Sequence, residues 1–319
     1  MTSKVSVFVG CLLGIFIGIS GCSSTTSDSP QSDQTQIEGI TIVPELNTAT
    51  GVLKLPLDPF GESEEEEGTL NTAHTVEMAK CASDQGVEYL VEPEFPPSVQ
   101  QIYAQRNYFG PWTVEQAERW GFVEPMSLKD LIANGILPDD TPATDTFLPP
   151  EAGKRTVFEL TEDEIEVVRN CNEEAGNHFS EPLRHDGGWW QEYEPLEFNY
   201  QRNKDAVALV DELGACFSEN EMVSEYREGT PWYPQGARGD RIDEVQIRMA
   251  LQVVACKDSI NFTQRMAEVE ASEQVPLVEK YAAEMIAKRE LIDSAVVAAK
   301  KVISENPEFL LKVNPDHKP

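Results

Sequence analysis

The sequence predicts a mainly α-helical fold with few short strands, stapled by two disulfides and closed by a long, kinked C-terminal helix. Three observations carry this expectation. Beyond about residue 70, apolar residues recur at helical spacing between recognisable cap and stop signals. Alternating strand patterns are scarce. Four cysteines, Cys81, Cys171, Cys216 and Cys256, fall within the helical stretches of a chain that opens with an export signal.

The export signal comes first. Val5 to Ser20, VSVFVGCLLGIFIGIS, carries no charge. A membrane-spanning helix needs about 20 apolar residues to cross a hydrocarbon core of about 30 Å, and this run is shorter and broken by small residues. Lys4 supplies a positive n-region, Val5 to Ile17 an apolar core, and Ser20 and Gly21 the small residues that precede a cut. Residues 1–21 therefore read as a signal peptide, and Cys11 leaves with it. Ile19, Ser20, Gly21 and Cys22 resemble the bacterial lipobox, which implies acylation of the Cys22 thiol and anchoring in the bilayer. The competing reading is an ordinary secretory signal with a cysteine near its cleavage site.

Of 319 residues, 25 are basic and 56 acidic. Removing residues 1–21, whose only charge is Lys4, leaves 24 against 56, a net charge of −32. Such a field repels nucleic acid and anionic headgroups, so no nucleic-acid role is expected. A hydrophobic fraction of 40% is enough for a real core. No calcium loop of the D-x-[DN]-x-[DN]-G type occurs, and Asp139, Asp140 and Asp145 lack its glycine turn and final glutamate.

From Cys22 to about Gln36 the chain is Ser, Thr, Asp, Gln and Pro, with too little apolar surface to order itself. Residues 22–70 are expected to be a polar, acidic tether. Within it, residues 39–56 include two short alternating stretches suited to a β arm, and GESEEEEG reads as a solvated boundary. The helical domain is expected over 71–306. Thr72 to Ser83 is a helix stopped by Gly86. Thr113 and Gln116 form a capping box opening a helix to Trp120, stopped by Gly121, and Ser127 to Ala133 is another, stopped by Gly135. Residues 137–153 read as a loop. Thr161 and Glu164 cap a helix to Glu174. After the irregular SEPLRHDGGWWQEYEP, a helix from about Asn203 to Tyr226 carries Val207, Val210, Leu213, Cys216 and Phe217 on one face. From Arg241 the chain is helical to about Glu305, with breaks expected at Asn261 to Thr263 and at Pro276. Residues 307–319 are left as a tail.

The cysteines reveal a repeat. Cys81 and Cys216 each lie near the end of an amphipathic helix, whereas Cys171 and Cys256 each follow a Val-Val pair. The same two-part unit thus occurs over 72–176 and over 203–260. The simplest pairing closes each unit on itself, Cys81 with Cys171 and Cys216 with Cys256. The nested alternative, Cys81 with Cys256 and Cys171 with Cys216, stays open.

The lipobox, KCASDQGVEYLVEP, YFGPWTVEQAERWGF and VVACKDSINFTQRMAEVEA together resemble uncharacterised exported lipoproteins of actinobacteria. The resemblance spans most of residues 75–305. It implies an envelope location and an accessory role, and it transfers no catalytic residue.

Catalytic motifs are missing: no G-x-S-x-G, S-x-x-K, H-E-x-x-H or phosphate loop occurs, nor does a zinc spacing. His74, His178, His185 and His317 read as surface histidines, although His185 beside Asp186 has the makings of a base and its orienter. No catalytic residue, metal or cofactor is assigned. Trp112 and Trp120 are expected in the core. Trp189, Trp190 and Tyr193, with Trp232 and Tyr233, form the candidate binding surface, because loop aromatics stack on sugars or anchor proteins; the competing reading, the one the usual burial of aromatics favours, is that they too plug the core of a loop-rich helical domain. Met285, Leu291 and Val296 mark the expected docking face of the C-terminal helix. The sequence thus predicts a membrane-anchored, extracytoplasmic, non-enzymatic binding or accessory protein whose partner is an envelope protein or cell-wall glycan. A carboxylate-based wall hydrolase and a transporter's solute-binding lipoprotein are the rival readings.

Overall fold

In the computed structural model, residues 43–94, 108–124, 128–138, 146–176, 178–184, 187–193, 202–225 and 233–315 are described. They all belong to one unit, residues 40–319. The described residues contain eight α-helices, four short 3-10 turns and two two-stranded antiparallel ladders, a mainly helical fold as the helical periodicity and scarce strand signals predict.

The order begins earlier than expected. Strands β1 (Glu45–Asn47) and β2 (Val52–Lys54) pair as a hairpin, and Leu53, Leu55, Leu57 and Phe60 are buried behind it. Helix α1 then runs over Glu64–Asp84, with Ser63 and Glu66 closing a capping box. The acidic run is therefore the first turn of a helix and not a boundary, and the tether does not extend to residue 70. The physical reason is the helix terminus: carboxylates beside its unpaired N–H groups are stabilised by about 0.3–1 kcal/mol each. Gly68 lets the chain cross closely, since a Cβ there would lie 2.9 Å from the carbonyl oxygen of Glu94.

Helices α2 (Val114–Trp120) and α3 (Leu128–Ala133) occupy the expected places, and Thr113 and Gln116 form the α2 capping box. Helix α4 (Glu162–Ala175) starts at the Thr161–Glu164 box. The segment read as irregular instead contains helix α5 (Gly188–Tyr193). Helix α6 (Lys204–Glu219) starts at Asn203 but stops at Asn220, short of Tyr226, because Glu221 takes a left-handed φ of 59°. Val207, expected in its seam, is exposed, whereas Ala206, Leu209, Val210, Leu213 and Phe217 are buried. A second ladder joins β3 (Ser224–Glu225) to β4 (Tyr233–Pro234). Helix α7 (Glu244–Ser259) follows, capped by Asp243.

Disulfides join Cys81 to Cys171 and Cys216 to Cys256, stapling α1 to α4 and α6 to α7. The likeness of the two units reaches the hydrogen bonds. At the end of α1 the amides of Gly86 and Val87 donate to Ser83 O and Ala82 O; at the end of α6 those of Glu221 and Met222 donate to Ser218 O and Phe217 O. Gln85 then lays its side-chain amide 3.4 and 3.3 Å from the sulfurs of one bridge, and Asn220 lays its own 3.5 and 3.7 Å from those of the other. Each unit thus ends its first helix with the same turn, its left-handed residue, Gly86 or Glu221, five positions beyond its cysteine.

Helix α8 (Phe262–Glu305) joins the units. The break expected near Asn261 is present, with that residue at φ 52°. Pro276 lies within the helix, and the non-helical residue is Tyr281 (φ −114°, ψ 15°). Phe262 and Met266 pack into the α6–α7 core, Ala267 and Ala271 against Leu53, Leu55 and Trp112, and Ile292, Ala295, Val296 and Ala299 against Leu70, Ala73 and Phe179. Met285 and Val296 are buried, and of the expected docking residues only Leu291 is exposed. The face is used internally. The segment read as a tail is also structural as far as residue 315: Val91 and Leu310, and Phe147 and Val313, form bridges, and Leu311 is buried.

Candidate functional site

Helix α5 brings three of the five candidate aromatics together. The Trp189 and Trp190 rings meet edge to face with centroids 5.5 Å apart, and Tyr193 lies 5.7 Å from Trp190. All three are half-buried. Such a cluster combines apolar area with polar tips, the chemistry of a surface for sugars or protein side chains. Trp232 and the Tyr233 side chain lie outside the described residues; the Tyr233 backbone pairs with Glu225 in the second ladder.

The local sequence explains the placement. Gly187 has a φ of 99°, and a Cβ on it would sit 2.0 Å from a Glu284 carboxylate oxygen; one on Gly188 would sit 2.9 Å from the Tyr281 ring. Two consecutive glycines thus allow α5 to touch α8 where α8 departs from helical geometry. The Gly188 amide donates to Glu284 Oε1 at 2.8 Å, and Tyr281 Oη donates to Glu192 Oε1 at 2.7 Å. Lys280 adds an ion pair to the same carboxylate. Hydrogen bonds from Lys280 and then Tyr281 hold Glu192 below the usual carboxylate range, and Glu192 raises Lys280 in turn. Lys288 Nζ donates to Arg184 O at 2.6 Å, tying the preceding turn to the same helix. The arrangement displays aromatic rings from a fixed platform.

Elsewhere the structure favours structural roles. Trp112 and Trp120 are buried, as expected. His74 meets Asn172 at 2.8 Å, and His178 meets Glu77 at 3.1 Å beside a hollow of about 440 Å³ that also exposes Lys80, Asp84 and Glu305. His185, Asp186, His317, Asp139, Asp140, Asp145 and the lipobox with Cys22 lie outside the described residues. Among the described residues, no group of three His, Cys, Asp or Glu is placed to hold a metal ion, and no helix is long and apolar enough to cross a membrane.

Two features escape sequence reading. Lys257, 1% exposed, donates to Gly110 O at 2.7 Å and Pro111 O at 3.0 Å, and burial pushes its amine well below the ordinary lysine range. It clamps the turn in which Phe109 and Gly110 both have positive φ. The second is Phe158, 84% exposed on the short 3-10 turn Val157–Glu159. The doubled Thr-x-x-Glu spacing, Thr156 to Glu159 and Thr161 to Glu164, is the signal that marks it.

No protein-family model, curated protein or solved structure matches the chain.

Proposed function

We propose that the chain is an extracytoplasmic lipoprotein, acylated at Cys22, that acts as a non-enzymatic binding or accessory protein of the cell envelope and uses α5 as a binding surface. The observation that carries this reading is the Trp189–Trp190–Tyr193 cluster, half-exposed and latched to α8 through Glu284, Tyr281 and Lys280. Fixing the rings before contact reduces the side-chain entropy lost on binding. The disulfides hold each helix pair together in an exported chain, where such bridges persist. The same aromatic cluster favours cell-wall glycan among the candidate ligands, since indole faces stack on sugar rings.

Co-sedimentation tests this reading. A soluble form lacking residues 1–22 is mixed with isolated envelopes from its own cells, stripped of endogenous chain. The proposal expects it to sediment with them and the additional change Trp190→Ala to weaken retention about tenfold, the scale of a moderate aromatic hot spot. Equal retention of the two forms, or none by either, contradicts it.

A further inference from the structure

We propose that Phe158 is a preorganised anchor for a protein partner whose apolar pocket is edged by lysine and arginine. The turn that carries Phe158 is fastened on both sides. The Leu90 amide donates to Arg155 O at 2.7 Å, and the Glu159 carboxylate turns back to accept from the Thr156 amide at 2.8 Å. Beyond it, Leu160 is buried in the α1–α4 core, and Glu164 accepts from the Thr161 amide at 2.8 Å and from both terminal nitrogens of Arg155 at 3.0 and 2.8 Å. At 84% exposure Phe158 leaves most of its ring in water, and the fastened backbone fixes the position from which the ring projects. Val157, in the same turn, and Ile165, in the first turn of α4, are exposed as well.

Charge selects the partner. Glu159, in the same turn, and Glu162 and Asp163, in the first turn of α4, are exposed, while the cations Arg155 and Lys154 pair with Glu164 and Glu88. An apolar centre with an acidic border complements a pocket with a basic border, and it disfavours an anionic lipid surface. This inference rests on the binding-protein reading but uses a different surface from α5, so the two fail separately.

The test places the photo-crosslinking residue benzoylphenylalanine at position 158 of the full chain in its own cells, with position 297, also exposed, as control. The expected result is one discrete protein adduct absent from the control, cross-linked at an apolar peptide flanked by Lys or Arg. That protein, purified, should bind the wild-type chain about 30-fold more tightly than Phe158→Ser and more weakly as salt rises, with thermal unfolding of the variant unchanged. A lipid, glycan or self adduct, no adduct beyond the control, or equal affinity for Phe158→Ser overturns the proposal. If Phe158→Ser changes nothing while Trp190→Ala still lowers envelope retention, this inference falls and the α5 reading stands.

Discussion

Glu221 and Gly86 occupy the same position in the two halves of the molecule, and only one of them suits it. Both take positive φ, 59° and 88°, one residue beyond the helix caps Asn220 and Gln85. A residue with a Cβ is disfavoured there by about 1–2 kcal/mol, whereas glycine is not. Glu221→Gly is therefore expected to raise stability by about 1 kcal/mol in chemical denaturation, and Gly86→Ala, whose Cβ meets nothing within 4 Å, to lower it by a similar amount through the backbone alone. Lys257→Met leaves two buried carbonyls, Gly110 O and Pro111 O, without their donor, and a loss of about 2–4 kcal/mol is expected by the same measurement. Glu164 gives the pH prediction. Hydrogen bonds from Arg155 first, then from the Thr161 amide and hydroxyl, hold its carboxyl down to about 2. A depressed carboxylate stabilises the fold fully above its unfolded value of about 4.3, and that contribution is lost as pH falls through 2. The melting-temperature gap between wild type and Glu164→Gln should be present at pH 6 and close towards pH 2; a gap unchanged at pH 2 contradicts this account of the pair.

At the scale of elements, the legible parts were those written in local chemistry. The Thr113 and Thr161 boxes place α2 and α4, and the Val-Val contexts of Cys171 and Cys256 expose the repeat. What stayed hidden depends on distant partners. The C-terminal segment reads as a tail because its bridges join Leu310 to Val91 and Val313 to Phe147, far away in sequence. Helix α5 has six residues and begins on the second of two consecutive glycines, a local pattern for a turn; the docking of Gly188 on Glu284 and Tyr281 makes it a helix. The Glu run is the opposite case: charge alone suggests a solvated linker, and the Ser63 cap turns it into a helix start. Of the candidate site, the aromatic residues were legible and their latch to α8 was not. The disulfides act at this scale too. Opening the 90-residue Cys81–Cys171 loop should cost about 4.6 kcal/mol and the 40-residue Cys216–Cys256 loop about 3.9 in the chain-entropy model. Paired Cys→Ala variants compared in guanidinium test that order.

For the whole molecule, α8 is the spine: it supplies core residues to the α6–α7 unit, the N-terminal hairpin and α1. A chain ending at Ser259 is expected to lose cooperative unfolding altogether, because the buried side chains of Phe262, Met266, Met285 and Ile292 leave with it. Both proposed surfaces, α5 and the Phe158 turn, sit on this stapled frame, and the −32 charge of the chain beyond residue 21 favours cationic partners over nucleic acid or anionic lipid. Anchoring of the proposed binding protein turns on Cys22. The most direct measurement is the intact mass and N-terminal peptide of the chain recovered from cell membranes. An anchored binding protein requires a mature chain beginning at Cys22 with a diacylglycerol on its thiol; a chain that keeps residues 1–21, or one that begins elsewhere without lipid, contradicts that role.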